Sequence, residues 1–205
     1  KDAFDPQGLM NPGKIVRSTN MDQRELFRYR PGYAMQSMQT ALDWSSWDVQ
    51  NDPLTEALSP PGSGGDPAQG FGKAIEMCNN NGHCRKFDAA VMCPSYRVTR
   101  DEQHSVRGRA NTLRLAASGQ LGPAGLQDPA VQDALALCVS CKACRRECPT
   151  GVDMAKMKIE VLAQRRRQFT PSLKDQMIAG LPSWAAYVSY LPGFSNWVSK
   201  QSLLR

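Results

Sequence analysis

The 205-residue sequence predicts a mainly α-helical protein with an irregular N-terminal segment. Three observations support this fold class. Beyond residue 70, apolar residues recur at helical spacing in several windows, and capping residues stand before most of them. No pair of alternating apolar runs joined by a tight turn separates those windows, so a hairpin signal is missing. The 7 cysteines fall in two groups with metal-type spacing, set between the helical windows.

Taken in order, residues 1–17 open with KDAFDPQGLMNPGKIV, where Asp5-Pro6, Asn11-Pro12 and Gly13 make successive turns into a strand-like piece at Ile15 and Val16. Residues 18–70 lose periodicity. There RYRPGY, DWSSW and SPPGSGGDPAQG read as extended segments and a flexible loop, a linker and docking segment. Phe27, Tyr29 and Tyr33 are expected to pack, and Trp44 and Trp47 to anchor the segment on a neighbouring domain. Residues 71–168 form the helical domain. Its first helix runs from Phe71 to Met77, with Phe71, Ala74, Ile75 and Cys78 on one face. Ser105 caps a second, with Val106, Ala110, Leu113 and Ala117 inward and Gly119 as its stop. Asp128-Pro129 opens a third, carrying Val131, Ala134, Leu135 and Cys138 on one side. Asp153 caps a fourth, reaching Gln168, whose buried face is expected to be Met154, Met157, Val161 and Leu162. The tail, 169–205, has two helical patches interrupted by Gly180, Pro182, Pro192 and Gly193, and is the most aromatic part of the chain.

Charge narrows the partners. The 25 Lys and Arg against 19 Asp and Glu give +6, spread along the chain with one concentration at Arg165, Arg166 and Arg167. A triplet at a helix end reads first as a solvated face that complements the helix dipole, so nucleic acid is not favoured. With the amphipathic tail beyond it, contact with a membrane surface is the second use. No apolar run approaches the roughly 18 to 20 residues that cross a bilayer, and no signal peptide is visible. The sequence starts at Lys1, which suggests a piece of a longer polypeptide. An odd number of clustered cysteines points to a reducing compartment, hence a cytoplasmic protein, with room for peripheral attachment to the inner membrane.

The chemistry is concentrated in CVSCKACRRECP, Cys138 to Pro149, whose four cysteines are separated by two, two and three residues. This is the bacterial ferredoxin pattern for an iron-sulfur cluster, in which the fourth cysteine ligates the other cluster of a pair. By that crossed rule Cys93, Cys138, Cys141 and Cys144 hold one complete 4Fe-4S cluster, and Cys148 joins Cys78 and Cys84 at a second site. The second site is one thiolate short. In a regular run the missing ligand would sit at Asn81. Three outcomes are open: a 3Fe-4S cluster, a 4Fe-4S cluster whose fourth iron takes Asn81, His83 or solvent, or no second cluster. Zinc is the chief alternative for such a cysteine set, and a Cys78–Cys84 disulfide is an oxidised alternative; either would make the chain a helical docking module. Lys142, Arg145 and Arg146 lie inside the ligand loop and would either raise a cluster's potential or simply face water.

Two stretches carry a family resemblance. DPQGLMNPGK resembles the closing segment of FAD-linked oxidases, flavin dehydrogenases acting on D-2-hydroxy acids such as D-lactate, glycolate and D-2-hydroxyglutarate. The resemblance implies that Asn11 and Lys14 lie nearest the flavin. EMCNNNGHCRKFDAAVMCPSYRVTRDEQHSVRGRANTLRLA, continued by CVSCKACRRECPTGVDMAKMKIEVLAQ, resembles the alpha-helical ferredoxin module that follows the flavin domain in bacterial oxidoreductases of that kind. It implies an electron-transfer module that takes electrons from FAD in a flavin domain of the same protein or complex and passes them to an acceptor, without catalysis by this chain alone. A subunit resembling those of anaerobic glycerol-3-phosphate dehydrogenase or heterodisulfide reductase shares the cysteine module but would not account for the opening motif.

Overall fold

The computed structural model describes residues 1–26, 28–29, 33–48, 51–52, 57–58, 65–87 and 91–200. Among these the helices are α1 (Phe71–Glu76), α2 (Pro94–Thr99), α3 (Val106–Ala117), α4 (Pro129–Ala136), α5 (Ala143–Glu147), α6 (Met154–Gln168), α7 (Leu173–Ala179), α8 (Leu181–Ser189) and α9 (Pro192–Ser199). The extended structure described is one two-residue antiparallel pair, Asn51 opposite Leu58 and Asp52 opposite Ala57.

The helix starts follow from local chemistry. The Ser105 hydroxyl accepts the Gly108 N–H at 2.9 Å, Asp128 accepts that of Ala130 at 2.8 Å, and Asp153 accepts that of Lys156 at 3.0 Å. Each satisfies an N–H that the first turn leaves without a helical partner. Pro94 and Pro129 occupy opening positions, where a missing N–H costs nothing.

α3 is the centre of the packing, lying against α1 and α4 and touching α6. Phe71, Ile75, Leu113, Val131, Met154 and Met157 make the core beneath it. Burying each such side chain is worth about 1.5–3 kcal/mol.

The segment before α1 belongs to this core. Met35, Trp44 and Ala68 are buried in it, and the Trp44 ring meets Phe71 edge-on at 5.2 Å. Trp44, expected to anchor this segment on a neighbouring domain, packs against the helical domain that follows it. Close approach depends on Gly70, whose φ is +90°; a Cβ there would stand 2.2 Å from the Trp44 carbonyl oxygen. Tyr29 stacks on Tyr33 with centroids 4.6 Å apart. Phe27 and residues 59–64 of the SPPGSGG stretch lie outside the described residues.

Three expectations need correction. Leu162 is exposed, and the position buried on α6 is Glu160, because hydrogen-bond donors from the preceding segment meet that face. Ile15 and Val16 form a turn in place of a strand-like piece, with Ile15 at φ +62° and no neighbouring strand among the described residues to pair with. The tail holds three short helices in place of two patches. Pro182 and Pro192 stand at helix starts, where they fit, and do not interrupt.

Candidate metal centre

Cys138 follows α4, its N–H bonded to the Leu135 carbonyl. Ser140 and Lys142 then adopt left-handed backbone at φ +55° and +60°, curling the loop so that Cys144 enters α5. Cys93 arrives from the other side as the residue before α2. What joins the two is the Glu147 carboxylate, which accepts the Val91 N–H at 3.0 Å and the Met92 N–H at 2.7 Å. The result is one cavity lined by Cys93, Cys138, Cys141 and Cys144, with Val106 and Met154 among its walls. Cys93 and Cys144 are buried, Cys138 is half-buried, and Cys141 is exposed at the rim.

Arg109 lines the same cavity. It is 1% exposed, in the middle of α3, three residues after Val106 and four before Leu113 on the inward side of that helix. Its Nε donates to the Ala134 carbonyl at 2.8 Å, Nη2 to the Ser95 hydroxyl at 2.7 Å, and Nη1 to the Cys93 sulfur at 3.3 Å. No carboxylate pairs with it among the described residues. A guanidinium stays charged in proteins, and a buried charge without a counter-charge is strongly destabilising. A 4Fe-4S cubane held by the four thiolates would supply what is lacking, since it is anionic. The donor set and its buried cation therefore fit such a cluster.

Burial pushes the Cys144 thiol up to about 11, while the backbone N–H groups of Met154 and Ala155, at the start of α6, pull it down. Those N–H groups are the ready-made partners of a thiolate at this position. Lys142, Arg145 and Arg146 are exposed, and Arg145 lies 3.6 Å from Asp153. The cation that reaches a cysteine sulfur is Arg109, which sequence reasoning missed; a charged residue on the inward face of α3 was the available signal.

The second group is also gathered. Cys78 follows α1, Cys84 sits in a single tight turn, His83–Arg85, and Cys148 ends α5. Burial raises the Cys78 thiol above its usual range, and Cys84 and Cys148 add to this electrostatically. Burial likewise raises Cys84, with Cys93 among the smaller contributors, so the two groups are neighbours. Asn81 is exposed: its side-chain carbonyl accepts the His83 N–H at 2.8 Å and its amide donates to Asn79 at 2.7 Å. His83 is half-buried in the same loop. Asn80 is tied in more firmly, accepting from Asn111 at 2.9 Å.

All seven cysteines are free, so Cys78 and Cys84 form no disulfide. Among the described residues, no three His, Cys, Asp or Glu side chains converge so as to hold a single metal ion. Asn11 and Lys14 are exposed in the N-terminal turns, 3.3 Å apart through a backbone hydrogen bond.

Residues 74–152 match the 4Fe-4S dicluster domain family. The D-2-hydroxyglutarate dehydrogenase of Pantoea ananatis is 29% identical over 98% of this chain and 21% of its own length. That of Escherichia coli is 27% identical over 100% of this chain and 21% of its own. The probable glycolate oxidase iron-sulfur subunit of Bacillus subtilis is 36% identical over 32% of this chain and 14% of its own. The chain thus spans about a fifth of the length of the dehydrogenases it matches. No solved structure matches.

Proposed function

We infer that this chain, whose residues 74–152 are a 4Fe-4S dicluster domain, is the electron-relay part of a longer FAD-dependent dehydrogenase acting on a D-2-hydroxy acid. The observation that carries the reading is the cavity where Cys93, Cys138, Cys141 and Cys144 meet beside the buried Arg109. A 4Fe-4S cluster on those thiolates would accept and release one electron at a time, chemistry that side chains alone lack. The protein's share is position and field. Cys93 and Cys144 enclose the site, whereas Cys141 stands at the surface among exposed Leu137, Val139 and Lys142, a rim through which electrons can cross to a partner. Cys78, Cys84 and Cys148 would hold the second cluster, its fourth position falling to Asn81, His83 or solvent.

The N-terminal segment fits a flavin-domain end whose remainder covers it: Phe4, Leu9, Met10 and Ile15 are exposed here. FAD, the 2-hydroxy acid and the flavin domain would belong to the longer protein, with Asn11 and Lys14 facing the flavin. The tail shows Trp184, Tyr187, Phe194 and Trp197 outward, and we assign it to packing against that longer protein, with a membrane surface as the alternative. No helix among the described residues is long and apolar enough to cross a membrane.

A zinc-held docking module is the second reading. It would draw on the same cysteines, closed tetrahedrally around one ion. Iron and acid-labile sulfide measured on anaerobically prepared protein, with electron paramagnetic resonance, decide the matter. About eight irons mean two cubanes, about seven a cubane with a three-iron cluster, and about four one centre. Zinc in a colourless protein would overturn the reading. The isolated chain should show no substrate-dependent dye reduction, since the flavin half is elsewhere.

A further inference from the structure

We propose that Arg109 sets the reduction potential of the cluster bound by Cys93, Cys138, Cys141 and Cys144, acting as a buried positive charge fixed against the Cys93 sulfur. The inference rests on the ligand assignment above and adds a residue that the cysteine pattern does not contain.

Three features separate Arg109 from an ordinary core arginine. It is 1% exposed, so water does not screen its charge. It has no carboxylate partner among the described residues, so its field is not cancelled locally. And its fork is held on both sides of the sulfur contact, by the Ala134 carbonyl at Nε and the Ser95 hydroxyl at Nη2, so that Nη1 cannot swing away from Cys93. Ser95 is itself fixed, donating to the His104 carbonyl at 2.9 Å. Uptake of one electron makes an already anionic cluster more negative by one charge. A fixed cation and a charge-assisted N–H···S bond favour that reduced form and raise the potential. By contrast, the exposed Lys142, Arg145 and Arg146 act through water and should contribute little.

The test is a potentiometric titration of the full-length protein with dithionite, followed by electron paramagnetic resonance, in the parent and in Arg109→Lys and Arg109→Met. Expected is a potential lowered in Arg109→Met by at least a tenfold change in the oxidised-to-reduced equilibrium, about 59 mV for a one-electron couple. Arg109→Lys, which keeps the charge, should lie between, and Lys142→Met should match the parent. An unchanged potential in Arg109→Met with full iron content overturns the proposal. If that variant cannot retain its cluster, pulsed resonance on parent protein carrying 15N-labelled arginine decides. A nitrogen coupling to the reduced cluster, lost in Arg109→Lys, supports the contact, and no coupling overturns it. Parent protein without iron would instead overturn the ligand assignment itself.

Discussion

Glu160 shows how much one buried side chain can organise. It is 0% exposed and accepts the backbone N–H groups of Ala41 and Leu42 at 2.8 and 2.9 Å, the Trp44 indole at 3.1 Å and the Gln164 amide at 2.7 Å. Burial alone would oppose its ionisation, but these donors outweigh it and hold the carboxyl below its usual range. A lowered folded value means stability that is complete above the ordinary value of 4.5 and lost as pH falls through the folded one. Thermal melts of the parent should therefore fall more steeply below pH 4.5 than those of Glu160→Gln. At neutral pH that variant should be less stable by about 1–3 kcal/mol, because its amide turns donors toward donors. For the cysteines, Cys138→Ser should remove about four irons and leave the second site's signal, whereas Cys78→Ser should leave the Arg109-linked centre intact.

At the scale of elements, the ligand loop is held by how its neighbours end and begin. Glu147 ties the approach to Cys93 onto α5, so Glu147→Gln should bleach faster under air while its far-ultraviolet circular dichroism stays that of the parent. α3 crosses the preceding turn so closely that a Cβ on Gly108 would stand 2.1 Å from the Glu102 carbonyl oxygen. Gly108→Ala should accordingly lower the melting temperature by more than Ser105→Ala, whose lost cap costs about 0.5–2 kcal/mol. The caps and their prolines are legible in sequence because each acts within two or three residues. α2 and α5 were not separately visible, being too short for a periodic pattern.

For the whole molecule, the question is where the helical domain begins. The sequence sets residues 71–168 as the unit; Trp44 and Met35 also pack into its core, and Glu160 accepts from the segment near residue 41. A fragment of residues 71–168 should melt well below one of residues 33–168; losing Trp44 alone is worth about 3–5 kcal/mol. Equal melting temperatures would support the narrower boundary. Arg167 adds to the same seam, donating to the Gln39 carbonyl at 2.7 Å, so the arginine triplet is not merely a solvated helix end.

By itself the sequence determined what depends on short separations: the thiol spacing from Cys138 to Cys148, the caps at Ser105, Asp128 and Asp153, and the helical class. Tertiary structure alone decided which polar side chains go inside. Arg109 meets Cys93 across 16 residues, and Glu160 meets Ala41 across 119. Residue type alone places arginine and glutamate outward, because burying a charge is costly in isolation. Burial becomes favourable only where the fold supplies the opposing groups, four backbone and side-chain donors for Glu160, and for Arg109 a carbonyl, a hydroxyl and a sulfur of the four-cysteine cavity.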